Sequence, residues 1–152
     1  MPRLDPVDKL LLNRIQSNFP ITSRPYQSIA DELGLTENEV IERIGALKST
    51  GVIRRIGANF VPAKVGYVST LCAAKVPDEL LDKFTETVNR YNGVTHNYLR
   101  EHDVMNVWFT FIAQSRKEID QHLDEISRET GITGILNMPA THVYKIKAQF
   151  EL

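Results

Sequence analysis

Cysteine is nearly missing from this chain of 152 residues; Cys72 stands alone. A disulfide framework within the chain is therefore excluded, and a reducing compartment is the natural setting. Net charge is nearly missing too: 18 Lys and Arg face 19 Asp and Glu, for a formal -1. No global basic field draws such a chain to nucleic acid or to an anionic membrane. No apolar run approaches the roughly 20 residues needed to cross a bilayer. Met1–Pro6 lacks the apolar stretch of a secretory leader, so a cytoplasmic location with no membrane partner is expected. There is no Cys-x-x-Cys, no His-x-x-x-His on a helix and no phosphate-cradling glycine loop. The protein's own side chains are therefore not expected to make a metal site. What remains is an ordinary globular composition, 42% hydrophobic, enough for one compact domain or two small ones.

Asp5-Pro6 opens a helix, with an N-cap acceptor before a proline at the first helical position. Leu10, Leu11 and Ile15 follow at helical spacing, with Leu12 beside them, and Pro20 stops the run. Ile29, Ala30 and Leu33 define a short second helix broken at Gly34. Thr36 caps a third, and Glu39 three residues on completes a capping box. Val40, Ile41, Ile44 and Leu47 give that helix its apolar stripe. A helix, a glycine turn and a second helix make the helix-turn-helix pattern. "GVIRRIGANFVP", Gly51–Pro62, reads as a hairpin behind it, so residues 1–62 are expected to be a winged helix-turn-helix.

The rhythm then changes. "GYVSTLCAAKVP" reads as a strand and Pro77–Tyr91 as a helix with Leu80, Leu81, Phe84 and Val88 on one side. Val94–Arg100 and Met105–Ala113 read as two strands joined near Glu101–Val104. Ser115–Thr130 is a helix carrying Ile119, Leu123 and Ile126, and "GITGILNMP" and "THVYKIKAQFEL" supply the last strands. The order β-α-β-β-α-β is ferredoxin-like, which makes residues 63–152 the second half of an α+β protein. Such a sheet carries helices on one face and leaves the other open. A second copy or a related chain is the expected cover, so a dimer is expected.

A helix-turn-helix followed by a ferredoxin-like unit resembles the Lrp/AsnC family of transcription regulators over essentially the whole chain. That resemblance implies DNA reading by the first unit, with small-molecule binding and dimerisation by the second. The charges oppose the DNA half of it. From Gln27 to Ser49, Asp31, Glu32, Glu37, Glu39 and Glu42 outweigh Arg43 and Lys48. DNA affinity comes largely from cations neutralising phosphates, and the second helix presents its first turns to the bases; here those turns read Glu37-Asn38-Glu39. DNA is therefore not the expected partner, although Arg54 and Arg55 could serve as wing contacts.

Two stretches resemble a different family with the same architecture. Arg54-Arg55-Ile56-Gly57-Ala58, and His96-Asn97-Tyr98 with Asn106-x-Trp108-Phe109 downstream, are similar to signatures of the siroheme decarboxylases. The resemblance covers nearly the whole chain, including the closing "YKIKAQF". It implies a carboxy-lyase that removes carboxyl groups from two acetate side chains of siroheme, giving 12,18-didecarboxysiroheme in alternative heme or heme d1 biosynthesis. No added cofactor is implied, because siroheme carries its own iron. It also implies a homologous second subunit, making a heterodimer. The alternative is an Lrp/AsnC-type regulator sensing a small molecule or heme.

The residues can be judged on their chemistry. A flat ring rimmed with carboxylates needs cations around an apolar slot, and the planar fork of arginine suits this best. Arg54, Arg55 and Arg100 are candidates, with Lys64. Loss of CO2 leaves electrons at the side-chain carbon, and a proton must finally reach the new methyl. Histidine is the donor suited to neutral pH. In a regular strand His96, Tyr98, Arg100 and His102 share one face. His96, Tyr98 and Arg100 are the candidate catalytic group; His102, Asn106 and Trp108 join the arginines and Lys64 as substrate-binding candidates. His96 or His102 could instead be an axial ligand to the substrate's iron. Trp108 alternates away from Met105, Val107, Phe109 and Phe111, toward the same cavity. His122 reads as a surface residue, His142 as a structural residue of the last strand, and Cys72 as a small core residue.

Overall fold

The computed structural model describes residues 4–145 and 149–152. The chain divides into two compact units: the residues up to Ala58 with the tail from Lys145, and Asn59–Tyr144.

In the first unit, α1 (Pro6–Ile15) is fixed at its start by a reciprocal box. The Asp8 amide donates to the Asp5 carboxylate at 2.7 Å, and the Asp5 amide donates to the Asp8 carboxylate at 3.3 Å. Both donors would otherwise be orphaned at the helix end. α2 (Pro25–Leu33) stops at Gly34, whose φ of 68° is the left-handed conformation that favours glycine. α3 (Glu37–Ser49) opens on the Thr36–Glu39 capping box. Leu11, Ile29, Ala30, Val40, Ile44 and Leu47 form the core between the three helices. Leu10 and Ile41, expected in the apolar stripes, face outward instead. Their neighbours Leu11 and Val40 hold the inward positions, and one residue is about 100° of helix.

The expected hairpin behind α3 does not form: residues 51–61 carry no strand. The first part of the segment closes the helix. Gly51 adopts φ 76°, and the Ile53 amide donates to the Leu47 carbonyl at 3.0 Å while the Ile53 side chain enters the core. Too few residues remain for two paired strands, and an isolated two-stranded ribbon is marginal in water.

In the second unit, β1 (Val68–Ala74), β2 (Val94–Leu99), β3 (Val107–Ala113) and β4 (Leu136–Met138) form one antiparallel sheet in the order β2-β3-β1-β4. α4 (Leu81–Asn89) and α5 (Arg116–Thr130) pack on one face. This is the ferredoxin-like arrangement. Alternation along β3 sends Val107, Phe109, Phe111 and Ala113 toward the helices, where they meet Phe84, Val88, Ile119, Leu123 and Ile126. Phe84 and Phe109 pack edge-on with ring centroids 6.3 Å apart; each buried ring is worth about 1.5–3 kcal/mol relative to exposure. Trp108, Thr110 and Ile112 turn to the open face.

The expected last strand is also missing from the described residues of that stretch: residues 141–145 and 149–152 are not strand, and residues 146–148 lie outside those described. β4 gives way to Pro139, which has no amide to continue a ladder. The tail is held on α1 by side chains. Gln16 accepts from the Phe150 amide at 2.9 Å and donates to the Phe150 carbonyl at 2.7 Å. Asn13 accepts from the Leu152 amide at 3.3 Å. Among the described residues no helix is long and apolar enough to cross a membrane.

Candidate active site

The site begins with an irregularity in β2. Val94 pairs with Phe111, but His96 pairs with Thr110, so the register slips by one residue between them. Thr95 is the extra residue of a β-bulge. Val94 consequently packs against the core on the helix side. His96, two residues on, would share that side in a regular strand. The bulge turns it to the open face instead, opposite Thr110, and Tyr98 follows opposite Trp108. Gly93 makes the turn possible. Its carbonyl accepts from the Ile112 amide at 2.8 Å, and a Cβ at this position would lie 2.0 Å from the Ile112 carbonyl oxygen.

On that face the side chains form a stacked row. The His96 and Tyr98 rings lie 6.0 Å apart at 28°, and the Arg100 guanidinium sits 5.6 Å from the centre of the Tyr98 ring, a cation–π distance. Tyr98 thus separates the imidazole from the cation and gives each a surface to rest on.

β2 ends at Leu99, and His102 lies in the joint expected at Glu101–Val104, off the strand that would have carried it onto the His96 face by alternation. A turn returns it to the same face. Its Nδ1 accepts from the Val104 amide at 3.2 Å and the Met105 amide at 3.1 Å. Its ring meets Trp108 edge-on at 5.8 Å, and the Trp108 indole donates to the Met105 carbonyl at 3.2 Å.

Together these groups line a hollow of about 790 Å³, within the range of roughly 300–1,000 Å³ usual for small-molecule sites. Leu71, Trp108 and Thr110 give it an apolar floor; His96, Tyr98, Arg100, Glu101 and His102 give it a polar rim. Arg100 is the one full cation among these lining residues, and Glu101 opposes it. Sequence reasoning missed Leu71, Thr110, Glu101 and Phe109. The first two could have been found by carrying the alternation of Trp108 across the sheet, since Leu71 pairs with Thr110. Thr95 was missed because the bulge leaves no mark in the residue pattern.

The other candidates lie elsewhere. Asn106 does not line the hollow: its carboxamide accepts from the Val76 amide at 2.8 Å and donates to the Val76 carbonyl at 2.7 Å, bracing the loop after β1. Lys64 sits exposed on a 3-10 turn, Pro62–Val65, and is not among the lining residues. Arg54 and Arg55 are exposed residues of the helical unit, on non-strand backbone. His122, expected at the surface, is half-buried on the helix side, stacked on Phe111 at 5.6 Å and paired with Glu125. His142 is exposed, with its ring 4.6 Å from that of Tyr144. Burial, with Asp120 adding to it, pushes the Cys72 thiol up to about 12, so it is not a nucleophile. Among the described residues no cluster of His, Cys, Asp or Glu could hold a metal ion.

The helix-turn-helix and the ferredoxin-like sheet define the Lrp/AsnC architecture. The AsnC-like ligand binding domain matches residues 64–145. The leucine response regulatory protein of Mycobacterium tuberculosis superposes with a TM-score of 0.81 at 18% identity, covering 98% of this chain and 100% of its own, a likeness of fold. Within that class the resemblance is narrower. The siroheme decarboxylase NirDL-like HTH domain matches residues 8–54. The siroheme decarboxylase alpha subunit of Desulfovibrio desulfuricans is 52% identical over 98% of this chain and 85% of its own length. The NirD subunit of Pseudomonas aeruginosa is 38% identical over 98% and 97%. The crystal structure of the siroheme decarboxylase NirDL superposes with a TM-score of 0.69 at 27% identity, over 96% of this chain and 47% of that one. This chain belongs to the siroheme decarboxylase family.

Proposed function

We propose that the chain is a subunit of an enzyme that decarboxylates siroheme without oxidation, converting two acetate side chains to methyls. The observation that carries this reading is the bulge-turned row of His96, Tyr98 and Arg100 beside the Trp108 wall of one hollow. NirDL, which is similar in fold and sequence, has been solved with an iron-uroporphyrin III analogue, a ligand of the same shape and charge class.

The chemistry asks little of the protein beyond placement and a proton. The carbon–carbon bond to the carboxylate breaks, CO2 leaves, and the electron pair stays on the side-chain carbon with the tetrapyrrole to delocalise it. One proton then completes the methyl. Arg100 holds a carboxylate of the ring in its planar fork. Trp108 and Leu71 cover the ring's apolar face. His96 delivers the proton, a task its type performs near neutral pH. Tyr98 acts by stacking, keeping both neighbours in place. No cofactor besides the substrate's own iron is called for.

One full cation is few for a ring with so many carboxylates, and Leu71 and Tyr98 beside the hollow are exposed. A related second subunit meets both needs. Relatives carry the names alpha, NirD, NirG and NirDL subunit, and this chain spans less than half of NirDL, which supports a pair of such units. DNA is not the partner on this reading. In the helical unit Arg14 is paired with Glu32, Arg24 with Glu37, and Arg43 with Asp5 and Asp8, and acids outweigh bases along α2 and α3, which opposes phosphate.

Anaerobic incubation of the assembled protein with siroheme, followed by mass analysis of the tetrapyrroles, tests the proposal. Mono- and didecarboxylated products are expected; unchanged siroheme would refute it. Retention on DNA with a steep salt slope would favour the regulator.

A further inference from the structure

The two histidines of the hollow differ in a way that divides their labour. His96 has Nδ1 3.0 Å from the Thr95 hydroxyl. A hydroxyl can donate or accept, so this contact is compatible with a proton on either ring nitrogen. His102 is different. Its Nδ1 receives two backbone N–H donors, from Val104 and Met105. A nitrogen accepting from both sides carries no hydrogen of its own, so in the neutral ring the proton sits on Nε2. The turn that imposes this is itself braced, by the Trp108 indole donating to the Met105 carbonyl and by the Trp108 ring against the imidazole. Among the described residues Nε2 of His102 has no hydrogen-bond partner.

We propose that His102 is a fixed hydrogen-bond donor: its Nε2–H holds a carboxylate of the tetrapyrrole and it does not ligate the iron. This rests on the reading of the hollow as a siroheme site and deepens it. An imidazole binds iron through an unprotonated nitrogen. In His102 one nitrogen is engaged by the backbone and the other bears the hydrogen. The geometry therefore suits an anion and not a metal, while His96, whose tautomer is left free, is the ring suited to moving a proton. His102 also places a second donor on the rim beside Arg100, where Glu101 otherwise weakens the attraction for a polyanion.

The tautomer can be read without substrate. Heteronuclear NMR of protein labelled in its histidines should show Nε2 of His102 protonated and Nδ1 not; a proton on Nδ1 overturns the proposal whatever the protein binds. The role is read with His102→Asn, which replaces one acceptor by another. The Asn carboxamide oxygen can take the amides that follow it, as in an Asx turn, so the turn survives while the Nε2 donor is lost. Unchanged amide resonances for Val104 and Met105 would verify this. Siroheme affinity of the assembled protein should then fall roughly 10- to 100-fold, the effect of removing one hydrogen bond to a charged group. The iron's spin state and ligand-field bands should stay as in the wild type. Unchanged affinity, or a spectrum that loses an axial imidazole, would overturn the assignment. No siroheme binding by the wild-type assembly would refute the siroheme reading itself and leave the tautomer result standing.

Discussion

The three arginines that link the helices of the first unit and Arg100 on the sheet face do opposite work, while Arg90 of the sheet unit pairs with Glu129 between α4 and α5. In the helical unit Arg14, Arg24 and Arg43 each close onto carboxylates, tying α1, α2 and α3 into a self-satisfied bundle. In the sheet unit Arg100 lies against Tyr98 and, among the described residues, meets no carboxylate. The same side chain holds the fold together in one place and is left available in the other. On the proposed reading the difference puts the ligand on the sheet face, and not along the recognition helix from which the architecture is named.

The largest effect should come from the chemistry. His96→Ala is expected to lower siroheme turnover by about 10²–10⁴-fold, the usual share of a general acid, while tetrapyrrole absorption by the protein persists. Full turnover would move the proton donor elsewhere. Phe109→Ala should destabilise the sheet unit by about 3–5 kcal/mol in urea denaturation, since Phe109 is fully buried against Phe84. Arg100→Ala should weaken siroheme binding roughly 10- to 100-fold, with Arg100→Lys recovering only part of it because the fork is lost. Arg14→Ala should leave binding unchanged, and an equal loss from both would erase the contrast between the units. Gly93→Ala should cost about 1–3 kcal/mol and loosen the β2–β3 pairing, seen as faster exchange of the Ile112 amide.

The smallest effect should be an acid one, confined first to the helices. The Asp8 amide and the Arg43 guanidinium hold the Asp5 carboxyl below its ordinary range. Arg14 does the same for Glu32, and the Thr36 amide and hydroxyl for Glu39. Depressed carboxyls contribute stability above their unfolded values, near about 4, and that contribution is lost as pH falls through the lower folded values. The sheet unit holds Glu125, lowered by His122 and Tyr91, against Asp5, Glu32 and Glu39 in the helices. Far-ultraviolet circular dichroism with NMR of each unit should therefore show α1–α3 weakening before the sheet between pH ~4 and pH ~2. Simultaneous loss of both units would show that these caps and pairs matter little.

Most of this architecture could be read from the residues. Asp5-Pro6, Thr36 with Glu39, and Gly34 mark helix ends with side-chain chemistry that acts locally, and the structure has them where they were expected. The strand alternation around Trp108 gave the correct face for it. What failed was what depends on where a segment packs rather than on its own residue pattern. The wing was misread because Ile53 is drawn back to close α3, and the last strand because the tail's backbone bonds to Gln16 and Asn13. The row of His96, Tyr98 and Arg100 was legible as alternation, but the reason it faces away from the core was not. A bulge is one residue of excess between two strands, and only the pairing with β3 reveals it.

The central claim is that siroheme sits on the bulged face of β2. Ferric siroheme is paramagnetic in every spin state, so it broadens the NMR signals of the amides nearest to it. Titrating labelled, assembled protein with ferric siroheme should broaden His96, Tyr98, Arg100 and His102 together with Trp108 and Thr110 before any amide of α2 or α3. Broadening that begins in those helices, or leaves the strand amides sharp at saturation, would contradict the account.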